Sequence, residues 1–138
     1  MLLDHMLKVI SISMWQMLKY IFTILPVLVN ILTNAADAVE GLPLRQVTLR
    51  AVVEGSDVVI RISDTGPGVP EALVARVFDP FFSTKGVGKG LGLGLSISYN
   101  IIKDFGGDLS VMNAQGGGAE FVIRLRISHD SALPEAAD

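Results

Sequence analysis

Between Gly86 and Gly94 glycine takes every second position, in the run GVGKGLGLGLSIS, and the run passes directly into a stretch with helical spacing of apolar residues. No regular element tolerates glycine at that density, so the chain must build a loop of bare backbone that feeds a helix. A solvated linker would not interleave Leu91, Leu93 and Leu95 with its glycines. Backbone N–H groups at a helix start, unobstructed by Cβ atoms, form an anion site suited to phosphates. The run is not a Walker A loop, because no Gly-Lys is followed by Ser or Thr. It is not the dinucleotide fingerprint either, because its glycines never fit G-x-G-x-x-G. Twelve of the fourteen glycines lie between Gly66 and Gly118, which places the expected chemistry in the second half of the chain.

The remaining composition bounds the answer. A chain of 138 residues is one domain's worth and buries enough surface to need no staple. It has no cysteine, which excludes disulfides and thiolate metal sites, and two distant histidines make a poor metal set. A net charge of −3 offers no basic field for nucleic acid, so no nucleic-acid partner is expected. The first 34 residues carry only Asp4, Lys8 and Lys19 as charges, together with four of the five methionines. The uncharged run from Val9 to Leu18 is short for a membrane span, which wants about 20 apolar residues, and no small-residue cleavage site follows it. Residues 1–26 therefore read as a divergent apolar segment packed against something. A strand over Lys8–Ser13 and a buried or partner-facing helix are favoured over a membrane span between the two lysines, with a second copy of the chain as the candidate partner.

From Pro26 the pattern sharpens. Proline suits a first helical turn, and Val27, Leu28, Ile31, Leu32, Ala35 and Ala38 form one apolar face, closed by Gly41. Alternation at Val47–Val53 and Val58–Ile62 predicts an antiparallel hairpin across Glu54-Gly55-Ser56. A short helix is predicted over 70–78, a loop over 79–90, a longer helix from Leu91 to Phe105, and a second hairpin, Leu109–Asn113 with Glu120–Ile127, across Gly116-Gly117-Gly118. Residues from 128 form a polar tail. Hairpins with helices before and between them give an α+β class: a two-layer sandwich whose mixed or antiparallel sheet is covered on one face. The domain is expected over 27–127.

Three groups of residues can carry chemistry. Asn30, Asn34 and Asp37 fall at i, i+4 and i+7, a polar stripe on an otherwise apolar helix. Their amide and carboxylate oxygens are hard ligands of the kind Mg²⁺ accepts. In DTGPGVP, Asp64 stands at a strand end with Gly66 and Gly68 clearing the space beside it, and a carboxylate there can accept from an exocyclic amino group such as that of adenine. An ordinary Asp-Gly turn is the competing reading. In FDPFFSTK, Phe78, Phe81 and Phe82 are core candidates, while Lys85, beside the glycine run, can reach a phosphate as a point charge.

In combination and in this order, NILTNAADA, DTGPGVP, FDPFFSTK and GKGLGLGLSIS, followed by GGGAEFVIRLR, resemble the asparagine, glycine and phenylalanine boxes of the ATP-binding catalytic domain of bacterial sensor histidine kinases. That family sits in the superfamily that also holds DNA gyrase, Hsp90 and MutL, with the Bergerat-type ATP-binding fold. The resemblance covers about residues 27–127 and is strongest to the nitrogen-regulation and C4-dicarboxylate-transport sensor kinases. It implies ATP and Mg²⁺ as ligands, with Asn34 on the metal and Asn30 beside it. It implies Asp64 on the adenine amino group, in a pocket shaped by Gly66 and Gly68. Residues 79–90 would be a lid, with Lys85 approaching the phosphates and Gly88, Gly90, Gly92 and Gly94 presenting amides to them. Asp37, Phe82, Thr84, Leu91 and Leu95 would complete the nucleotide-binding set.

ATP-hydrolysing relatives carry an acidic residue four before the metal-binding asparagine. Here that residue is Asn30, which cannot act as a base near neutral pH. The resemblance thus implies phosphoryl transfer to a histidine on a partner domain, a response regulator downstream, and a cytoplasmic setting, whether or not the sensor is membrane-bound. The chain departs from the family in two places. No phosphoacceptor helical domain fits ahead of Asn30, and neither His5 nor His129-Asp130 has the surrounding residues of an acceptor box. The family's usual acidic lead into the asparagine box is replaced by Ile24-Leu25-Pro26. An anti-sigma-type protein-serine kinase and a nucleotide-binding module without catalysis are the alternatives.

Overall fold

The computed structural model describes residues 1–83 and 92–126. The chain opens with one long helix, α1 (Leu2–Val39), followed by β1 (Val47–Glu54), β2 (Asp57–Asp64), a single-turn α2 (Glu71–Val74), α3 (Gly94–Asp104), β3 (Asp108–Asn113) and β4 (Ala119–Arg126). The strands form one sheet in the order β1-β2-β4-β3, and every pairing is antiparallel. The expected α+β sandwich is present: α1 and α3 lie together on one face of the sheet.

The core follows from the register. Ile62 stands opposite Phe121, Phe121 opposite Val111, and Ile123 opposite Leu109, so these side chains share one face. Val27, Ile31 and Ala35 of α1 and Ile102 of α3 close over them, and all are buried. Each such side chain contributes roughly 1.5–3 kcal/mol through burial. On the outer face Val59 and Val122 are also buried, although among the described residues no helix covers them. Their cross-strand neighbours are Arg124 and Arg61, held down by ion pairs to Glu54, Asp57 and Glu120. The arginine stems supply the apolar cover that a helix would.

Pro26 does not start the helix. α1 runs through it, and residues 1–26 contain no strand over Lys8–Ser13. An interior proline removes one backbone bond and crowds the preceding turn, at a cost of about 3 kcal/mol. Ile24 before it and Val27 after it pack on the same core, which holds the two sides of the proline in one helix. By length and composition Met14–Val39 could cross a membrane. Its turns from Val27 onward are committed to the domain core, however; ahead of them Ile24 packs on that core and Tyr20 on Phe105, and the other faces of these turns stand clear. There Leu3, Met6, Leu7, Met14, Trp15, Met17 and Phe22 are exposed.

Two further boundaries differ from expectation. The helix expected over 70–78 lasts one turn and continues as i−3 bonds, from Arg76 N to Leu73 O and from Asp79 N to Arg76 O. Adjacent Val77 and Phe78 both turn into the core, which the tighter winding allows. α3 starts at Gly94 rather than Leu91, because Gly92 sits at φ 69, outside helical space. Ile127, the expected last residue of the second hairpin, lies outside the described residues.

Candidate functional site

The polar stripe of α1 meets the beginning of α3. Asn30 is half-buried, and its Nδ2 donates to Ser98 Oγ at 2.9 Å. A Cβ on Gly94 would lie 2.5 Å from Asn30 Oδ1, so a side chain at 94 would displace the Asn30 amide from its present place. Ser98, one turn along α3 from Gly94, is buried. No side chain caps α3, so its first-turn N–H groups are not consumed by a cap. Asn34 follows Asn30 one turn later and is half-buried, and Asp37 is exposed at the end of the stripe.

Asp64 ends β2 and is only 5% exposed. Its Oδ1 accepts the N–H of Gly66 at 2.9 Å and the N–H of Ala119 at 3.2 Å. Both bonds fall on one oxygen. The carboxylate is therefore fixed in orientation, with Oδ2 as its remaining acceptor. Gly66 packs against the end of α1, where a Cβ would come within 2.8 Å of the Ala38 carbonyl oxygen. At Gly118, φ 91, a Cβ would overlap the Asp64 carbonyl oxygen. The turn beyond is latched by Asn113, whose Oδ1 accepts the Val69 N–H at 2.8 Å while its Nδ2 donates to the Val69 carbonyl at 2.7 Å. Gly68, at φ 77, leaves room for that amide. The hairpin of β3 and β4 thus grips the Asp64 turn at two points, and Pro67, Val69, Glu71 and Asn113 line an open cleft beside it.

The three phenylalanines separate. Phe78 stacks on Tyr99, ring centroids 5.1 Å apart, and meets Phe121 edge-on. Phe82 is half-buried, with the Arg76 guanidinium 5.5 Å from its ring centre. Phe81 is exposed, in a left-handed conformation at φ 63. Gly92 presses on this pair: a Cβ there would be 2.7 Å from the Phe82 carbonyl oxygen. Leu95 packs against the core from the first turn of α3. Thr84, Lys85, Gly88, Gly90 and Leu91 lie outside the described residues, as does His129-Asp130.

Ser98, Asn113, Gly118 and Ala119 belong to this site and do not stand out in the sequence. The only advance signal is weak: Gly94 and Ser98 are small residues at i, i+4 on one helix face.

The geometry can be set beside known proteins. Residues 22–129 match the family described as histidine kinase-, DNA gyrase B-, and HSP90-like ATPase. The chain belongs to this family. As a member of this ATPase family it is an ATP-binding domain. It is similar to the two-component sensor PprA of Pseudomonas aeruginosa, 44% identical over 74% of this chain and 12% of the relative. It is also similar to the C4-dicarboxylate transport sensor protein DctB of the same organism, 42% identical over 73% of this chain and 16% of the relative. The chain therefore spans less than a fifth of these sensors. Among solved structures, the catalytic domain of histidine kinase ThkA superposes with a TM-score of 0.67 at 32% identity, covering 76% of this chain and 67% of that one. The mycobacterial sensor histidine kinase MprB gives 0.63 at 31% identity, over 73% and 68%. Within the family, then, the fold is that of a histidine kinase catalytic domain.

Proposed function

We propose that this domain binds ATP with Mg²⁺ and donates the γ-phosphoryl group to a histidine on a partner dimerisation domain, in two-component signalling. The observation that carries the reading is the junction of Asn30, Ser98 and Gly94, which brings the first amide of the polar stripe against an uncapped helix start. A half-buried amide oxygen beside such a start fits Mg²⁺, which takes few protein ligands and fills its shell from phosphates and water. Asn34 would hold the ion, which when bound neutralises charge shared between the β- and γ-phosphates. Asp64 Oδ2 accepts from the adenine amino group and fixes the far end of the nucleotide. Lys85, Thr84 and the glycine run meet the phosphates as charge and backbone donors.

With both ends held, catalysis is positioning and charge stabilisation. A neutral imidazole nitrogen attacks the γ-phosphorus, the bond to the β–γ bridging oxygen breaks, ADP departs, and the ring releases its other proton to solvent. Asn30 supports transfer over hydrolysis, since an amide is too weakly basic near neutral pH to take a proton from water. ATP as donor places the domain in the cytoplasm, as the cytoplasmic portion of a larger sensor.

Incubation with labelled ATP and the dimerisation domain of a full-length relative tests the reading. Acid-labile, base-stable phosphate on that domain is expected. Acid-stable phosphoserine would instead indicate a serine kinase, and nucleotide binding without transfer a non-catalytic module. Asn34→Ala should lower the affinity for ATP in Mg²⁺ at least about tenfold, or 1.4 kcal/mol, and leave affinity in EDTA unchanged. An undiminished Mg²⁺ dependence by calorimetry rejects Asn34 as ligand.

The projecting turns of α1 expose mainly apolar side chains, among them Leu3, Met6, Leu7, Met14, Trp15, Met17 and Phe22, as in helices enclosed by other protein. They form the surface through which we place a second copy. Sedimentation velocity of the full chain should show mass rising with concentration; a monomer throughout the range removes this role.

A further inference from the structure

β1 is an edge strand, and among the described residues nothing pairs with its open side. It is exposed along nearly its whole length, with apolar side chains on both faces: Leu49 and Val52 are each 46% exposed and Val53 67%. Exposed apolar edges recruit other strands, and proteins ordinarily blunt them with charge. Arg50 is the cation on this edge, yet its setting is unfavourable. It lies directly across β2 from Arg61, a like-charge pair. Arg61 is compensated by Glu54 and Glu120, whereas no carboxylate lies within ion-pair distance of Arg50 among the described residues.

The strand supplies the missing carboxylate to a copy of itself. A twofold axis at Val52 sets Val52 against Val52 of a second chain, Ala51 against Val53, and Arg50 against Glu54, with the last two pairs repeated by symmetry. The backbone parity agrees. Glu54 and Asp57 flank the two-residue turn that Gly55 opens at φ 63, so they are a hydrogen-bonded pair. Alternation then turns the N–H and C=O groups of Arg50 and Val52 toward β2 and those of Ala51 and Val53 toward the open edge. These outward groups are the ones that Ala51 and Val53 of the two copies would exchange. The outer-face Arg50–Glu54 pairs would close at non-hydrogen-bonded positions, where side chains come closest.

We infer that the β1 edge is a self-complementary docking surface, joining two copies of this chain into one continuous antiparallel sheet centred on Val52. This surface is separate from the α1 association above, and the test distinguishes them. The chain has no cysteine, so introduced thiols report without background. In the antiparallel arrangement Val52→Cys faces itself at a Cα separation of about 4.5 Å, within disulfide range. Mild oxidation of the full chain should convert Val52→Cys to a covalent dimer at least about tenfold faster than Thr48→Cys, on the same strand and face. Adding Arg50→Glu to Val52→Cys should slow that conversion about tenfold, because both cross-strand pairs become like-charged. Equal rates at positions 48 and 52, as association through α1 alone would give, overturn the inference, and so does indifference to Arg50→Glu.

Discussion

Asp64→Asn should cost the domain most of its affinity for ATP, about 100-fold or roughly 2.7 kcal/mol, while leaving affinity for Mg²⁺-tripolyphosphate within about twofold. The substitution is isosteric and the local hydrogen bonding survives it. Asn Oδ1 can still accept the Gly66 and Ala119 N–H groups that now hold Asp64 Oδ1. What changes is the second position, where an NH₂ replaces an acceptor oxygen and presents a donor to the donor of adenine. A buried donor facing a donor forfeits a hydrogen bond and leaves both groups desolvated, which is why such swaps cost more than the bond alone. Calorimetric titration of both ligands reads the result. An equal loss for ATP and tripolyphosphate would mean that the substitution damaged the fold or the phosphate end. An unchanged ATP affinity would remove Asp64 from base recognition.

The residues that were legible in advance are those whose chemistry is local. Asn30 and Asn34 announce themselves because helical spacing puts both on one side of a helix that is apolar elsewhere, and Asp64 because two glycines follow it at a strand end. Their partners could not be read this way. Ser98 reaches Asn30 across 68 residues and Asn113 reaches Val69 across 44, so their roles exist only once β4 lies between β2 and β3. The same holds for Gly118, which in sequence is one of three turn glycines. Pro26 misled for the opposite reason. Local preference placed a helix start there, and tertiary packing of Ile24 and Val27 on one core overrode it. The apolar N-terminal turns remained open in sequence between strand and helix because a short, uniformly apolar run has no period to distinguish them.

Gly118→Ala is expected to be the most damaging added methyl among the described glycines, and its neighbour provides the control. Gly117 and Gly118 both hold positive φ, at 103 and 91, so alanine at either position carries a backbone penalty of about 1–2 kcal/mol. They differ in what the new methyl meets. At Gly117 nothing lies within 4 Å, whereas at Gly118 the methyl overlaps the main-chain carbonyl of Asp64, with the Asp64 carboxylate oxygen at 3.2 Å. A backbone carbonyl in a central strand cannot swing aside as a side-chain end can, so β4 must shift from β2 at the point where Ala119 N–H holds Asp64. Overpacking of this kind adds roughly 1–3 kcal/mol, for a total of about 2–5 kcal/mol, or a fall in Tm of about 7–17 °C at this chain length. Gly117→Ala should lower Tm by only about 3–6 °C on the same scale and keep ATP affinity, since nothing it touches bears on Asp64. Gly118→Ala should lose ATP affinity even at temperatures where it remains folded, because the carboxylate moves with the strand. Thermal unfolding and ATP titration of the two variants side by side decide the matter. Equal Tm losses would show that φ alone sets the requirement for glycine at 118. A destabilised Gly118→Ala that binds ATP normally would show that the Ala119–Asp64 contact does not position the carboxylate.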